Sequence, residues 1–269
     1  MSDFSIKQAL ALDGRRALIV GGGGHIGRAA AEALAELGAL IALSDRDEAG
    51  MARALEDSRV AGACVARLPV DLRDDAATRA MTRDAIAALG GLDVIVHTAA
   101  FVNQANTQGY AAPFADQRID PWREALEINL TSAFSIVQEA APSLAEGGAG
   151  SVVLFGSIYG LGGPDARLYE GMEGVGNAAA YAASKGGILQ LTRWLATSLA
   201  PDVRVNAISP GGIERGQGDA FVARYAARTP MRRMGHEEDL KGAVAYLAGD
   251  LSRYVTGHNL VVDGGWTAW

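Results

Sequence analysis

The chain has 269 residues with 24 basic and 31 acidic side chains, a formal net charge of −7, which argues against nucleic-acid or anionic-membrane partners. At 49% hydrophobic and 20% charged it can bury a large core, and its one cysteine, Cys64, forms no internal disulfide. The opening Met1-Ser2-Asp3-Phe4-Ser5 carries no basic, apolar leader and no run of about 18 apolar residues follows, so a soluble, cytoplasmic protein is expected.

Short β-branched and apolar runs alternate along the chain with Ala-rich stretches of helical period. Strands are expected at 17–20, 41–44, 64–70, 94–97, 152–155, 203–208 and 260–262. Helices are expected at 26–37 (stopped by Gly38), 74–89, 122–144, 179–199, 220–227 and 237–250. Near-continuous apolar strands separated by helices predict an α/β fold, a doubly wound, mostly parallel seven-stranded sheet covered on both faces. No linker or repeat divides it, so one domain over 1–269 is expected.

The first strand hands over to the first helix through Gly21-Gly22-Gly23-Gly24-His25-Ile26-Gly27. A dinucleotide site needs glycine here for a tight turn, for backbone approach to a pyrophosphate, and for close packing of helix on strand. The run fits both G-x-G-x-x-G and G-x-x-G-x-x-G. Asp45 ends the second strand, where a carboxylate accepts adenosine ribose hydroxyls and repels a 2′-phosphate; this favours NAD over NADP. Its plainer alternative is a capping role, and the neighbouring Arg46 could instead pair with a 2′-phosphate. Asp71, after the third strand, either meets the adenine edge or serves as a turn carboxylate.

Tyr181 and Lys185 stand four residues apart on one helical face, one of only three lysines in the chain. A phenol is a poor base at neutral pH, and a nearby ammonium together with an oxidised nicotinamide favours its phenolate. With the glycine turn, Asp45, Asn129, Ser157 and Tyr181/Lys185 in this order, the sequence resembles the classical short-chain dehydrogenase/reductase family. Arg204-Val205-Asn206-Ala207-Ile208-Ser209-Pro210-Gly211, Thr229-Pro230, Arg233-Met234-Gly235, Thr256-Gly257 and Val262-Asp263-Gly264-Gly265 extend the likeness to the C-terminal end.

The resemblance implies a single-domain Rossmann fold, commonly tetrameric. It implies Tyr181 as general acid/base, Ser157 hydrogen-bonded to the substrate oxygen, Lys185 on the nicotinamide ribose, and Asn129 holding a relay water. It places Gly21, Gly24, His25, Ile26, Gly27, Asp45, Arg46, Asp71, Leu72, Ala99, Pro210, Gly211 and Ile213 on the cofactor. No metal is called for.

Several positions depart from the family. Val20 stands where a threonine usually opens the turn, and His25 replaces a glycine. His97-Thr98-Ala99-Ala100 replaces an Asn-Asn-Ala-Gly segment, with Thr98 as the structural stand-in and His97 read as a satisfied core-edge histidine. Arg215 occupies a threonine position, either near an anion (cofactor diphosphate or substrate) or solvated. Ser157 and Tyr181 are 24 residues apart, about twice the usual spacing. This 158–180 loop, with Tyr159, Asp165, Arg167, Tyr169, Glu170, Glu173, Gly174 and other glycines, should border the substrate together with the 212–233 region. Tyr159, Arg167, Tyr169 and Arg215 are the substrate candidates. Tyrosines and mixed charges suit a hydroxylated substrate, and the Ser-Ile-Tyr-Gly segment is similar to members associated with sugar metabolism. Trp266 and Trp269 are expected to pack either on another subunit or on their own.

The expected function is NAD(H)-dependent hydride transfer with a secondary alcohol or ketone of a sugar or polyol derivative. The alternatives are an NADPH-dependent 3-oxoacyl or small-ketone reductase, a sugar-nucleotide dehydratase or epimerase, and a catalytically silent homologue.

Overall fold

A computed structural model describes residues 5–102, 107–171 and 176–269, so Glu173 and Gly174 of the long insertion lie outside it. The elements are α1 (Ile6–Leu10), β1 (Arg16–Val20), α2 (His25–Glu36), β2 (Leu40–Asp45), α3 (Glu48–Ala54), α4 (Ser58–Ala63), β3 (Cys64–Pro69) and α5 (Asp75–Leu89). They continue with β4 (Val94–His97), α6 (Ile119–Leu126), α7 (Ser132–Ala145), β5 (Gly150–Phe155), α8 (Ala179–Leu199), β6 (Val203–Pro210), α9 (Asp219–Arg228), α10 (Glu238–Ala248) and β7 (Asn259–Val262).

The seven strands form one parallel sheet in the order β3-β2-β1-β4-β5-β6-β7. Strand order reverses between β1 and β4, and in such sheets the ligand crevice lies at the carboxyl ends beside that reversal. The period-two alternation of β1 sends Leu18 and Val20 to one face and Ala17 and Ile19 to the other. On the first face they meet Met81 and Ala85 of α5, Ile136 and Ala140 of α7, and Ile188 of α8. On the second they meet Ala30 and Leu34 of α2 and Leu240, Val244 and Leu247 of α10. Because both faces are covered, these strands read as continuous apolar runs rather than alternating ones.

Two differences from the sequence expectation are informative. The single helix expected over 122–144 is broken by a π-helical turn at Glu127–Thr131, between α6 and α7. Asn129 lies in that turn, and its buried side chain ties two other segments together: Oδ1 accepts from Phe101 N at 2.5 Å and Nδ2 donates to Ser184 Oγ at 2.8 Å. One extra residue in a turn leaves the apolar period almost unchanged, so a periodicity reading passes over it. The short helices α1, α3 and α4 were also not expected, since five to seven residues hold too few turns to show a period. α4 is set instead by its cap, Asp57 accepting from Arg59 N and Val60 N.

A third, smaller apolar cluster sits outside the two main cores. Ile158 and Leu168 from the insertion, Tyr225 from α9, Met234 and Trp266 form it, with Tyr159, Tyr169 and Phe221 packed against it. Trp266 is therefore buried on its own chain, stacked on Tyr225 at 4.2 Å between ring centroids. Trp269 remains exposed, its Nε1 donating to Arg228 O at 3.2 Å. Among the described residues no helix is long and apolar enough to cross a membrane.

Candidate active site

A cleft of about 820 Å³ opens at the carboxyl ends of the strands. Its floor comes from the ends of β1, β2, β5 and β6, and its outer wall from the insertion and the segment around α9.

The β1–α2 turn forms one end. A Cβ on Gly27 would come 2.0 Å from Gly21 O, so the first turn of α2 lies directly on the preceding loop. Thr98 braces the same loop, its Oγ1 donating to Val20 O at 2.9 Å, as expected of the stand-in for an asparagine. The amides that open α2 face the cleft with the positive end of the helix dipole. Asp45 Oδ2 accepts from Gly23 N at 3.0 Å and Oδ1 from Asp47 N at 2.9 Å, so its carboxylate serves the turn and also lines the cleft. Asp71 pairs with Arg73 and accepts its backbone N–H at 3.0 Å, a turn carboxylate at the same end. Ser44 Oγ, on the floor, is buried without a hydrogen-bond partner among the described residues. A cradle of backbone that a Cβ would fill, with an orphaned hydroxyl and two carboxylates at the far end, fits a dinucleotide.

At the centre, α8 begins at Ala179, so Tyr181 falls in its first turn and Lys185 one turn on. Ser157 follows β5 and, like Tyr181, lines the cleft, its hydroxyl close enough to the phenol to favour the phenolate. Ser157 Oγ also accepts from Tyr159 N at 3.1 Å, which fixes its rotamer. Lys185 is buried with Nζ donating to Phe155 O at 2.7 Å and lying 5.7 Å from the Tyr181 ring centroid. The insertion reaches this point because Gly160 presses on α8: a Cβ there would meet Lys185 O at 2.7 Å.

Burial pushes the Lys185 ammonium down to about 8. Burial also raises the Tyr181 phenol above its ordinary value, against the opposing pull of the Ser157 hydrogen bond and the Arg215 charge. His97 is buried beneath, Nε2 within 3.0 Å of Ser132 Oγ, and burial with the Lys185 charge pushes it down to about 3. It is the satisfied core histidine that was expected.

On the outer wall, the Tyr159 and Tyr169 hydroxyls lie 3.1 Å apart and both side chains line the cleft. Gly21, Gly24, His25, Ile26, Gly27, Asp45, Arg46, Asp71, Leu72, Ala99, Pro210, Gly211, Ile213 and Arg215 line it as well. Two anticipated residues are not on its surface. Asn129 is spent on Phe101 and Ser184, so its side chain positions rather than faces the cleft. Arg167 points to solvent and pairs with Asp165 at 2.8 Å. The substrate role expected for Arg167 is therefore not supported: the i,i+2 pairing inside its own turn holds it away.

Sequence reasoning missed Asn177, whose Oδ1 is buried without a partner among the described residues and which lines the cleft two residues before α8. It missed Tyr225, whose hydroxyl accepts from Gly212 N at 2.6 Å and so holds the loop after β6. It also missed Glu237, which bonds Arg215. The signal for Asn177 was its place beside the helix that carries Tyr181. Tyr225 and Glu237 had no sequence signal, because their partners are distant in the chain.

A family profile described as Enoyl-(Acyl carrier protein) reductase matches residues 24–267. The chain is 33% identical to cis-4-hydroxycyclohexanecarboxylate dehydrogenase of Sinomonas cyclohexanicum, over 94% of this chain and 97% of that one. It is 34% identical to the probable galactose dehydrogenase GalD of Rhizobium meliloti, over 93% and 94%. The structure superimposes with a TM-score of 0.81 and 30% identity on a gluconate 5-dehydrogenase from Burkholderia cenocepacia in complex with NADP and tartrate, covering 98% of this chain and all of that one.

Proposed function

The chain belongs to the short-chain dehydrogenase/reductase family, oxidoreductases of CH–OH groups, and we propose that it transfers hydride between NAD(H) and a secondary alcohol or ketone of a sugar or polyol derivative. The observation that carries the reading is the convergence of Ser157, Tyr181 and, one helical turn on, Lys185 in a cleft whose end is a glycine cradle.

In this reading the cradle Gly21–Gly27 holds the cofactor diphosphate on the opening amides of α2, and Asp45 accepts the adenosine ribose hydroxyls. A bound nicotinamide supplies the hydride acceptor for oxidation or the donor for reduction. As the phenolate, Tyr181 takes the hydroxyl proton of an alcohol at its oxygen; as the phenol, it gives that proton to a carbonyl in the reverse direction. Ser157 donates to the same substrate oxygen and stabilises charge as it develops. Lys185, held by Phe155 O, keeps a cation beside the phenol and binds the nicotinamide ribose. Asn129 fixes the segment after β4 against α8, so a relay water would have to rest on its backbone rather than its side chain. Tyr159, Tyr169 and Asn177 offer hydroxyl and amide groups to a polyhydroxylated substrate. The relatives named for hydroxycyclohexane-carboxylate, galactose and gluconate support a hydroxylated substrate.

Asp45 favours NAD, since a 2′-phosphate would have to sit against its carboxylate. Removing the proposed base tests the reading. Tyr181→Phe should lower kcat about 10³-fold while NADH affinity stays unchanged. Unchanged turnover refutes the acid/base role, and tighter binding of NADPH than NADH in a titration refutes the role of Asp45.

A further inference from the structure

Arg215 is a site candidate whose partner the sequence left open, either an anion (cofactor diphosphate or substrate) or solvent. Its backbone is held firmly: Arg215 N donates to Gln217 Oε1 at 2.6 Å, Gln217 Nε2 donates to Ile213 O at 2.9 Å, and Glu214 N donates to Gly235 O at 2.9 Å. Its side chain is about one-third exposed and lines the cleft. Nε donates to Glu237 Oε1 at 2.9 Å, while the two Nη nitrogens have no partner among the described residues. The same Glu237 oxygen lies 3.5 Å from His25 Nδ1. His25 is the first residue of α2, the helix whose opening amides face the cleft. One carboxylate oxygen therefore holds a guanidinium from the loop after β6 and lies near the first residue of the glycine-turn helix.

A guanidinium bound through Nε alone presents its Nη pair as a free fork, a shape matched to two oxygens of a phosphate. Because its Glu237 partner lies 3.5 Å from His25, that fork is held on the side of the cleft where α2 begins, the helix terminus that attracts the same anion. We propose that Arg215 is a cofactor-binding residue that clamps the dinucleotide diphosphate together with the α2 amides, with Glu237 as the carboxylate that orients it. The assignment rests on the dinucleotide reading above and adds to it a charged contact from the substrate-side loop. Closing this contact couples cofactor binding to the order of the 213–217 segment, which also borders Gln217 and Phe221 on the substrate side.

The test is titration of the purified protein with ADP-ribose, which carries the diphosphate without the nicotinamide, and with adenosine, which carries neither. Arg215→Gln should weaken ADP-ribose binding about tenfold to a hundredfold and leave adenosine binding unchanged. Arg215→Lys, which keeps the charge and loses the fork, should fall between them. The salt dependence of ADP-ribose affinity should be shallower in Arg215→Gln, which a merely structural loss would not produce. Equal ADP-ribose affinity in Arg215→Gln and the parent overturns the clamp. So does a variant whose only defect is a raised KM for carboxylate-bearing alcohols, which would assign the fork to the substrate. A parent protein that binds neither NADH nor ADP-ribose overturns the dinucleotide reading itself, and the clamp with it.

Discussion

Around the β1–α2 turn the cleft is walled by backbone, whereas along the insertion and α9 it is walled by side chains. At the glycine turn the deciding contacts are between main-chain atoms, Gly27 against Gly21 O and the Gly24 amide donating to Gly21 O at 3.0 Å. At the outer wall they are aromatic: Tyr225 stacked on Trp266, Phe221 tilted against Tyr169 at 5.6 Å, and Arg228 over the Trp266 ring at 4.8 Å. Arg224 adds a polar stitch by donating to Glu170 O at 2.7 Å. Where backbone packs on backbone, as Gly27 does on Gly21, there is no room for a side chain and the wall has one shape. A side-chain wall can be repacked residue by residue, which suits the half that must match a particular substrate.

The backbone wall is most sensitive at Gly27. In Gly27→Ala the added methyl meets a carbonyl that cannot move without the whole turn, so NADH affinity should fall by about a hundredfold or more. Fluorescence titration checks it, and an unchanged Kd would show that the turn can yield. At the other wall, Trp266→Ala removes a buried ring and should cost about 3 kcal/mol in urea unfolding. Its KM for the alcohol should rise more than its Kd for NADH. Equal losses in both would mean that the two walls are not separable.

Lys185 lies where the walls meet, and Lys185→Met sharpens the comparison through pH. Burial lowers the folded-state value to about 8 from the ordinary 10.5, so below pH 8 the folded protein carries a buried ammonium that the unfolded chain solvates. The folded state binds fewer protons than the unfolded one between those values, and parent stability therefore rises with pH across that window. The shift corresponds to about 3 kcal/mol, and the unpaired Phe155 carbonyl in the variant offsets about 1. Lys185→Met should thus be inactive yet about 2 kcal/mol more stable at pH 7. Its advantage should shrink as pH rises from 8 to 10.5, and denaturation curves in which it grows would contradict the assignment.

Much of the site was readable in advance because its spacing is local. Tyr181 and Lys185 share a helical face by their offset alone, and the bounds of α8 coincide with the expected 179–199. The glycine turn announces itself because a strand, seven residues and a helix are contiguous. Asn129 was visible by its place in the family order, but its work was not, since Phe101 and Ser184 reach it only in the folded chain. Arg167 and Arg215 were both substrate candidates as sequence, one in the insertion and one at a family threonine position. The fold separates them by pairing one with Asp165 in its own turn and holding the other against Glu237, a carboxylate distant in the chain.

Sequence by itself determined the alternation of strand and helix, the parallel sheet, the glycine cradle and the Tyr181/Lys185 pair. These depend on periodicity and on short-range backbone geometry, which neighbouring residues dictate. Only the tertiary structure decided the third apolar cluster, the burial of Trp266 on its own chain, and the Glu237–Arg215 pair beside His25. Each depends on which distant side chains meet and how much water is removed around them, and the strength of a charge or a stack is set by that meeting.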